Sequence, residues 1–218
     1  ALYMAMGALA AYIEVQKSGQ GQVVDTSMVE GAASLMASAY GGLAAGTVTE
    51  ERETNRLDGG CHHYNVYETQ DGKHISIGSN EPQFYALLLK AVGLGDADLP
   101  AQTDRDKWPE MRQTLANIFK TKTRTEWTEM MEQREICFAP VLSMSEAIEH
   151  HHNVERGSFI EVADVKQPGA APKFSRMPAP LPTAPAYAGE HTQAALADWG
   201  VSAAQIDALL QTGAAKQR

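Results

Sequence analysis

Apolar residues dominate positions 1–13, where Leu2, Met4, Met6, Leu9, Tyr12 and Ile13 recur among alanines, and polar Glu14, Gln16 and Lys17 follow. The pattern predicts a helix so apolar that it needs neighbours on most sides. Ser18-Gly19-Gln20-Gly21 supplies turn residues and a glycine that close it near Lys17. Residues 22–27 read as a short buried strand, and 28–45, rich in Ala, Gly and Ser, as one helix whose small residues allow close packing. Helix, strand, helix is a piece of an α/β layer fold.

Residues 46–60 are polar, carry Glu50-Glu51-Arg52-Glu53 and break at Asp58-Gly59-Gly60, which is the composition of a linker. Two alternating runs, 64–69 and 73–78, then flank Gln70-Asp71-Gly72, a strong hairpin signal. Pro82 opens a helix through Val92 that Gly93 ends. Helices are expected over 108–119 and 125–133, an extended segment over 138–142, a helix from Ser143 or Ser145, and a strand over 159–165. Six prolines between 167 and 189 make a semi-extended return, and short helices over 192–199 and 202–210 finish the chain. Ser202 and Gln205 have capping-box spacing.

Charge narrows the function. Lys and Arg total 18 against 27 Asp and Glu, a formal net charge of −9, which repels polyanions and argues against nucleic-acid binding. Cys61 and Cys137 lie far apart without C-x-x-C pairing, which suits a reducing, cytoplasmic compartment. No apolar run reaches the roughly 20 residues of a membrane span. The chain starts inside a helical pattern with no initiator Met and no N-cap, and a charged leader region is missing, so it is read as part of a longer protein rather than as a secretory signal.

Several local groupings invite chemistry. Gly19-Gln20-Gly21 lacks the strand-before, helix-after order of a dinucleotide loop. Cys61-His62-His63 and His150-His151-His152 are imidazole-rich, but adjacent residues do not converge on one ion, so no metal is expected, and the His triple is read as a solvated helix end. Asp58-Gly59-Gly60 through Tyr64 is read two ways: as a backbone close-approach segment lining a cleft, or as a linker whose glycines only turn the chain. Glu81, one residue before Pro82, sits where a helix N-terminus favours a carboxylate.

Motifs in sequence order then converge on one family. Gly21-Gln22-Val23-Val24-Asp25, Met28-Val29-Glu30-Gly31, Asn55-Arg56-Leu57-Asp58-Gly59-Gly60, Tyr64-Asn65-Val66-Tyr67-Glu68-Thr69-Gln70-Asp71-Gly72 and Glu81-Pro82-Gln83-Phe84-Tyr85 resemble the family III CoA-transferases and α-methylacyl-CoA racemases. Pro140-Val141-Leu142, His152-Asn153-Val154-Glu155-Arg156-Gly157 and His191-Thr192 continue the likeness. Leu57-Asp58-Gly59-Gly60 and Glu81-Pro82-Gln83-Phe84-Tyr85 are similar to the racemase branch.

The resemblance implies an α/β fold: the end of a Rossmann-like large domain over 1–46, a linker over 47–60, a small α+β domain over 61–166, and a proline-rich return with C-terminal helices over 167–218, the N-terminal part being absent. It implies epimerisation of 2-methylacyl-CoA by a histidine and an aspartate that exchange the α-proton, both in a stretch upstream of Ala1. A chain without them is expected to be inactive alone. Glu81 matches a glutamate that supports the histidine, Tyr64 an active-site aromatic, and Asp58, Gly59, Gly60 and Asn65 the substrate-binding segment. Cys61-His62-His63 departs from the family's usual Ala-Pro-aromatic, which puts the acyl pocket's shape in question. The partners implied are an acyl-CoA thioester and a second copy in an interlocked homodimer, with no cofactor beyond substrate. The alternatives are a family III transferase moving CoA between carboxylic acids, and a non-catalytic module that keeps the dimer surface.

Overall fold

The computed structural model describes residues 1–180 and 182–218. The opening apolar run forms α1, Leu2–Ser18, which closes on Gly19 in the left-handed conformation with its N–H donating to Val15 O. Residues 22–27 form no strand, contrary to the sequence expectation. A strand exists only with a neighbour to pair its N–H and C=O groups, and here Val23 is 94% exposed. The expected single helix over 28–45 is two helices, α2 at Met28–Leu35 and α3 at Ala37–Ala44, parted at Met36. Ser34 Oγ donates to Gly31 O one turn back, a bond that competes with the helical ladder just before the break. Ser27 caps α2 by accepting from Glu30 N and donating to Glu30 Oε2 at 2.6 Å. No residue of α1, α2 or α3 is buried.

The hairpin appears as read. Strands β1, Tyr64–Glu68, and β2, His74–Gly78, pair antiparallel, and β3, Phe138–Val141, joins the other side of β2. Gly72 takes φ +71 in the turn, which the missing Cβ permits, and Thr69 Oγ1 donates to Asp71 Oδ1. Pro140 is tolerated because β3 is an edge strand. One face of the sheet carries Tyr67, Ile75 and Ile77 into the core, while Tyr64, Val66, Ser76 and Ala139 lie on the other face.

Three helices cover the buried face: α4, Pro82–Ala91; α5, Trp108–Phe119; and α6, Arg124–Met131. Their buried residues fall at helical spacing: Tyr85 and Leu88; Trp108, Met111, Leu115 and Phe119; Trp127 and Met131. Phe119 stands edge-on to Trp127, whose Nε1 donates to Phe119 O at 2.9 Å. Thr123 and Glu126 form a reciprocal capping box at the start of α6.

Chain contacts divide the protein into two compact units, Ala1–Val141 and Leu142–Arg218. The second holds α7, Met144–Glu149, capped by Ser143, and α8, His151–Glu155. His150 is extended between them, the C-cap of α7 and the N-cap of α8, and exposed His151 and His152 open α8, so the triple spans a junction of two helices rather than only a helix end. The strand expected over 159–165 is a hairpin of β4, Phe159–Val162, and β5, Val165–Pro168, because Ala163 and Asp164 adopt positive φ and turn the chain. The proline-rich return, outside position 181, which is not among the described residues, carries no helix or strand beyond β5. Helices α9, Thr192–Asp198, and α10, Ala203–Gln211, follow, the latter with the Ser202/Gln205 capping box.

Candidate active site

The site begins in the linker. Asn55 bridges it by donating Nδ2 to Thr49 O at 3.0 Å and to Asp58 Oδ2 at 2.8 Å, while Thr49 N donates to Asn55 Oδ1. Asp58 Oδ1 accepts from Asn55 N and from Gly60 N at 3.1 Å. Burial pushes the Asp58 carboxyl up, but these hydrogen bonds outweigh it and hold the group below the usual carboxylate range. Gly60 is required here by close approach, since a Cβ would stand 2.6 Å from Asn55 O. Arg112 Nη1 on α5 donates to Gly59 O at 2.9 Å and ties the linker to the helical layer.

Cys61-His62-His63 follows and is fully buried. Cys61 Sγ donates to Arg56 O, while the two imidazoles stand edge-on to each other and share Tyr85: His62 Nε2 meets Tyr85 Oη at 2.8 Å, and His63 stands edge-on to Tyr85 and Trp108. Tyr67 Oη donates to His62 O at 2.6 Å. Burial lowers both imidazoles to about 4, aided at His62 by the charge of His63 and at His63 by Arg56, so both are neutral near pH 7. The Nδ1 atoms of His62 and His63 are sealed and have no hydrogen-bond partner among the described residues.

Two hollows flank this segment. A cavity of about 460 Å³ lies on the open face of the sheet, bounded by Leu57, Tyr64, Asn65, Val66, Cys137 and Ala139. Asn65 Nδ2 donates to Gly59 O at 2.8 Å and to Cys61 O, so this side chain braces the linker beside that cavity. The second, about 390 Å³, is bounded by Arg56, His63, Asn80, Glu81, Arg105 and Trp108. The structure therefore puts Tyr64 and Glu81, paired by the sequence reading, in different hollows. Glu81 is the N-cap residue of α4, yet its carboxylate makes no capping hydrogen bond and Pro82 takes the first helical position. Its backbone is extended (φ −76°, ψ 140°), as at the capped helix starts, but its side chain makes no bond to the helix and lines the cavity instead. Gln102 Nε2 donates to Ser79 O and Asn80 O at 3.0 and 3.1 Å, and Trp108 Nε1 donates to Gln102 O, so the wall around Glu81 is pinned.

Comparison with known proteins sets this geometry in context. The family model described as CoA-transferase family III matches residues 1–192. The chain belongs to that family. Among curated relatives of this family III chain, the α-methylacyl-CoA racemases of Mus musculus and Homo sapiens are 41% and 39% identical over 94% of it. The chain spans about half the length of these relatives, 54% of each. A succinyl-CoA–D-citramalate CoA-transferase of Chloroflexus aurantiacus is 29% identical over 91% of the chain. The fold matches a CAIB/BAIF family protein from Brucella suis at TM-score 0.70, with 17% identity, over 90% of this chain and 53% of that one. Rv3272 from Mycobacterium tuberculosis matches at TM-score 0.66, with 20% identity over 88% of this chain and 52% of that one. The architecture is thus the mixed α/β fold that the motifs implied, helices with small sheets.

Sequence reasoning missed Arg56, Asn80, Gln102 and Arg105 as wall residues of the Glu81 cavity. Arg56 and Tyr85 stood inside motifs it quoted, without a role. Gln102 lies in a loop and Arg105 opens a three-residue 3-10 helix, Arg105–Lys107, neither with a pattern of its own, and both reach the site only through the fold.

Proposed function

We propose that these residues form walls and supports of a site that epimerises 2-methylacyl-CoA thioesters by α-proton exchange, in a homodimeric, cytoplasmic enzyme of fatty-acid metabolism with no cofactor beyond its substrate. The observation that carries the reading is Glu81: a carboxylate at a helix start, uncommitted to its own helix, on the wall of a pinned cavity. The roughly 40% identity to racemases supports the branch. Within this reading the divisions 1–46, 47–60, 61–166 and 167–218 keep the roles the motifs suggested.

Removing a proton next to a thioester carbonyl needs a base matched to the working pH, a conjugate acid on the opposite face, and dipoles at the developing enolate oxygen. The histidine and aspartate that supply the exchange lie, by the resemblance, outside these 218 residues. Glu81 acts through that histidine. By accepting one ring N–H, it fixes the tautomer and raises the basicity of the other nitrogen, as a positioning residue. Tyr64 and the Asp58-Gly59-Gly60-Asn65 bend form the wall on the sheet side.

The experiment is a chimaera in which this chain replaces the matching half of the mouse racemase. It is expected to exchange deuterium at C2 of a 2-methylacyl-CoA, and Glu81→Gln to lower that rate by roughly 10²-fold while leaving KM within a few-fold. An unchanged rate in Glu81→Gln removes Glu81 from the account. The likeness to a citramalate CoA-transferase sustains a second reading, CoA transfer through a carboxylate nucleophile. Exchange that requires an added carboxylic acid acceptor favours transfer.

A further inference from the structure

The cavity beside Glu81 contains more cationic and hydrogen-bonding chemistry than proton exchange uses. Arg56 and Arg105 both line it against the single carboxylate of Glu81. Arg105 is held in place: Nη2 donates to Thr47 O at 2.6 Å, and the guanidinium lies 5.4 Å over the Trp108 ring. Its other N–H groups, and the whole Arg56 guanidinium, make no hydrogen bond or ion pair among the described residues. His63, 2% exposed, lines the same cavity, with no hydrogen bond at either ring nitrogen among the described residues and Nδ1 sealed. A phenyl ring at 63 would make the same edge contacts with Tyr85 and Trp108, so packing alone gives no use for the imidazole nitrogens. Buried polar groups are normally satisfied, and an orphaned imidazole on a wall that also carries two guanidinium groups points to a ligand that supplies an acceptor.

We propose that this cavity receives the far end of the acyl group and that this end carries a carboxylate, held by Arg56 and Arg105 with His63 beside it. The inference rests on the acyl-CoA reading above and specifies its substrate class as 2-methylacyl-CoA esters of dicarboxylic acids. Guanidinium groups match a carboxylate in a planar, bidentate geometry, and one is already oriented by its bond to the linker. Two guanidiniums against one carboxylate leave a single positive charge, which a monoanion neutralises. A dianionic phosphate overshoots that balance and faces Glu81. The phosphates of CoA share the oxyanion chemistry, so the test separates them from the acyl tail.

The purified 218-residue chain is titrated with the N-acetylcysteamine thioester of 2-methylsuccinate, with its methyl ester at the distal carboxyl, and with adenosine 3′,5′-bisphosphate, following histidine ring protons by NMR. The free acid is expected to bind at least about tenfold more tightly than the methyl ester and to move the His63 resonances. Arg56→Gln, at an exposed position, is expected to remove that preference without altering the circular dichroism spectrum, and Arg105→Gln to weaken it. Equal affinity of acid and ester, no binding of the acid, or displacement of the acid from His63 by the bisphosphate overturns the proposal. Tail preference here with no C2 exchange in the chimaera defeats the proton-exchange reading instead, and exchange with no tail preference defeats only this inference.

Discussion

His62 and His63 are held neutral by burial, and that fixes the sign of their contribution to stability. Their folded values of about 4 lie below the ordinary 6.5, so the unfolded chain binds more protons in that window. Stability is therefore complete above 6.5 and falls as pH drops towards 4, by up to about 1.4 kcal/mol per pH unit for each histidine. His63→Phe is expected to shallow the slope of urea stability against pH by at least one histidine's share, because His62 also loses the charge of His63, and an unchanged slope contradicts the assignment. Tyr85→Phe strips His62 Nε2 of its partner inside the core and is expected to cost about 1–3 kcal/mol in the same urea titration. The sequence marked this tripeptide as unusual but not as core. Its burial depends on Tyr85 and Trp108, which lie 23 and 45 positions beyond His62 and His63 respectively and approach only when α4 and α5 close over the sheet.

Elements specified by short-range chemistry were legible, and those needing a distant partner were not. The Asp71-Gly72 hairpin, Pro82 opening α4 and the Ser202/Gln205 box are each settled within a few residues. The strand expected over 22–27 had suitable residues but pairs with no strand among the described residues, and the long helix over 28–45 parts at Met36, beside Ser34, whose hydroxyl meets Tyr3 Oη 31 positions away. The glycines allow a paired test at this scale. Gly60→Ala places a Cβ 2.6 Å from Asn55 O, backbone that cannot give way, and is expected to destabilise by about 1–3 kcal/mol. Gly41→Ala within α3 meets nothing within 4 Å and is expected to stabilise by about 0.5–1 kcal/mol. Equal effects in thermal melts contradict the claim that close approach, rather than flexibility, selects Gly60.

Across the whole molecule, the apolar opening of the chain is the feature that its own residues leave uncovered. Leu2, Met28, Val29 and Leu35 are each at least 75% exposed, and α1, α2 and α3 bury none of their side chains. A surface of this kind associates, so the purified chain is expected to sediment as more than a compact monomer, and a monodisperse monomer contradicts the proposed partner-building role. The helical pattern in the sequence demanded neighbours for α1, but which neighbours was never written there, because apolar surface carries no address. Under the proposed function, this chain shapes and supports a proton-exchange site whose acid and base, by the resemblance, come from outside these 218 residues. The most direct test of that proposal is deuterium incorporation at C2 of a 2-methylacyl-CoA incubated in heavy water with the 218-residue polypeptide alone: no incorporation above the buffer rate is expected, and protein-dependent incorporation overturns it.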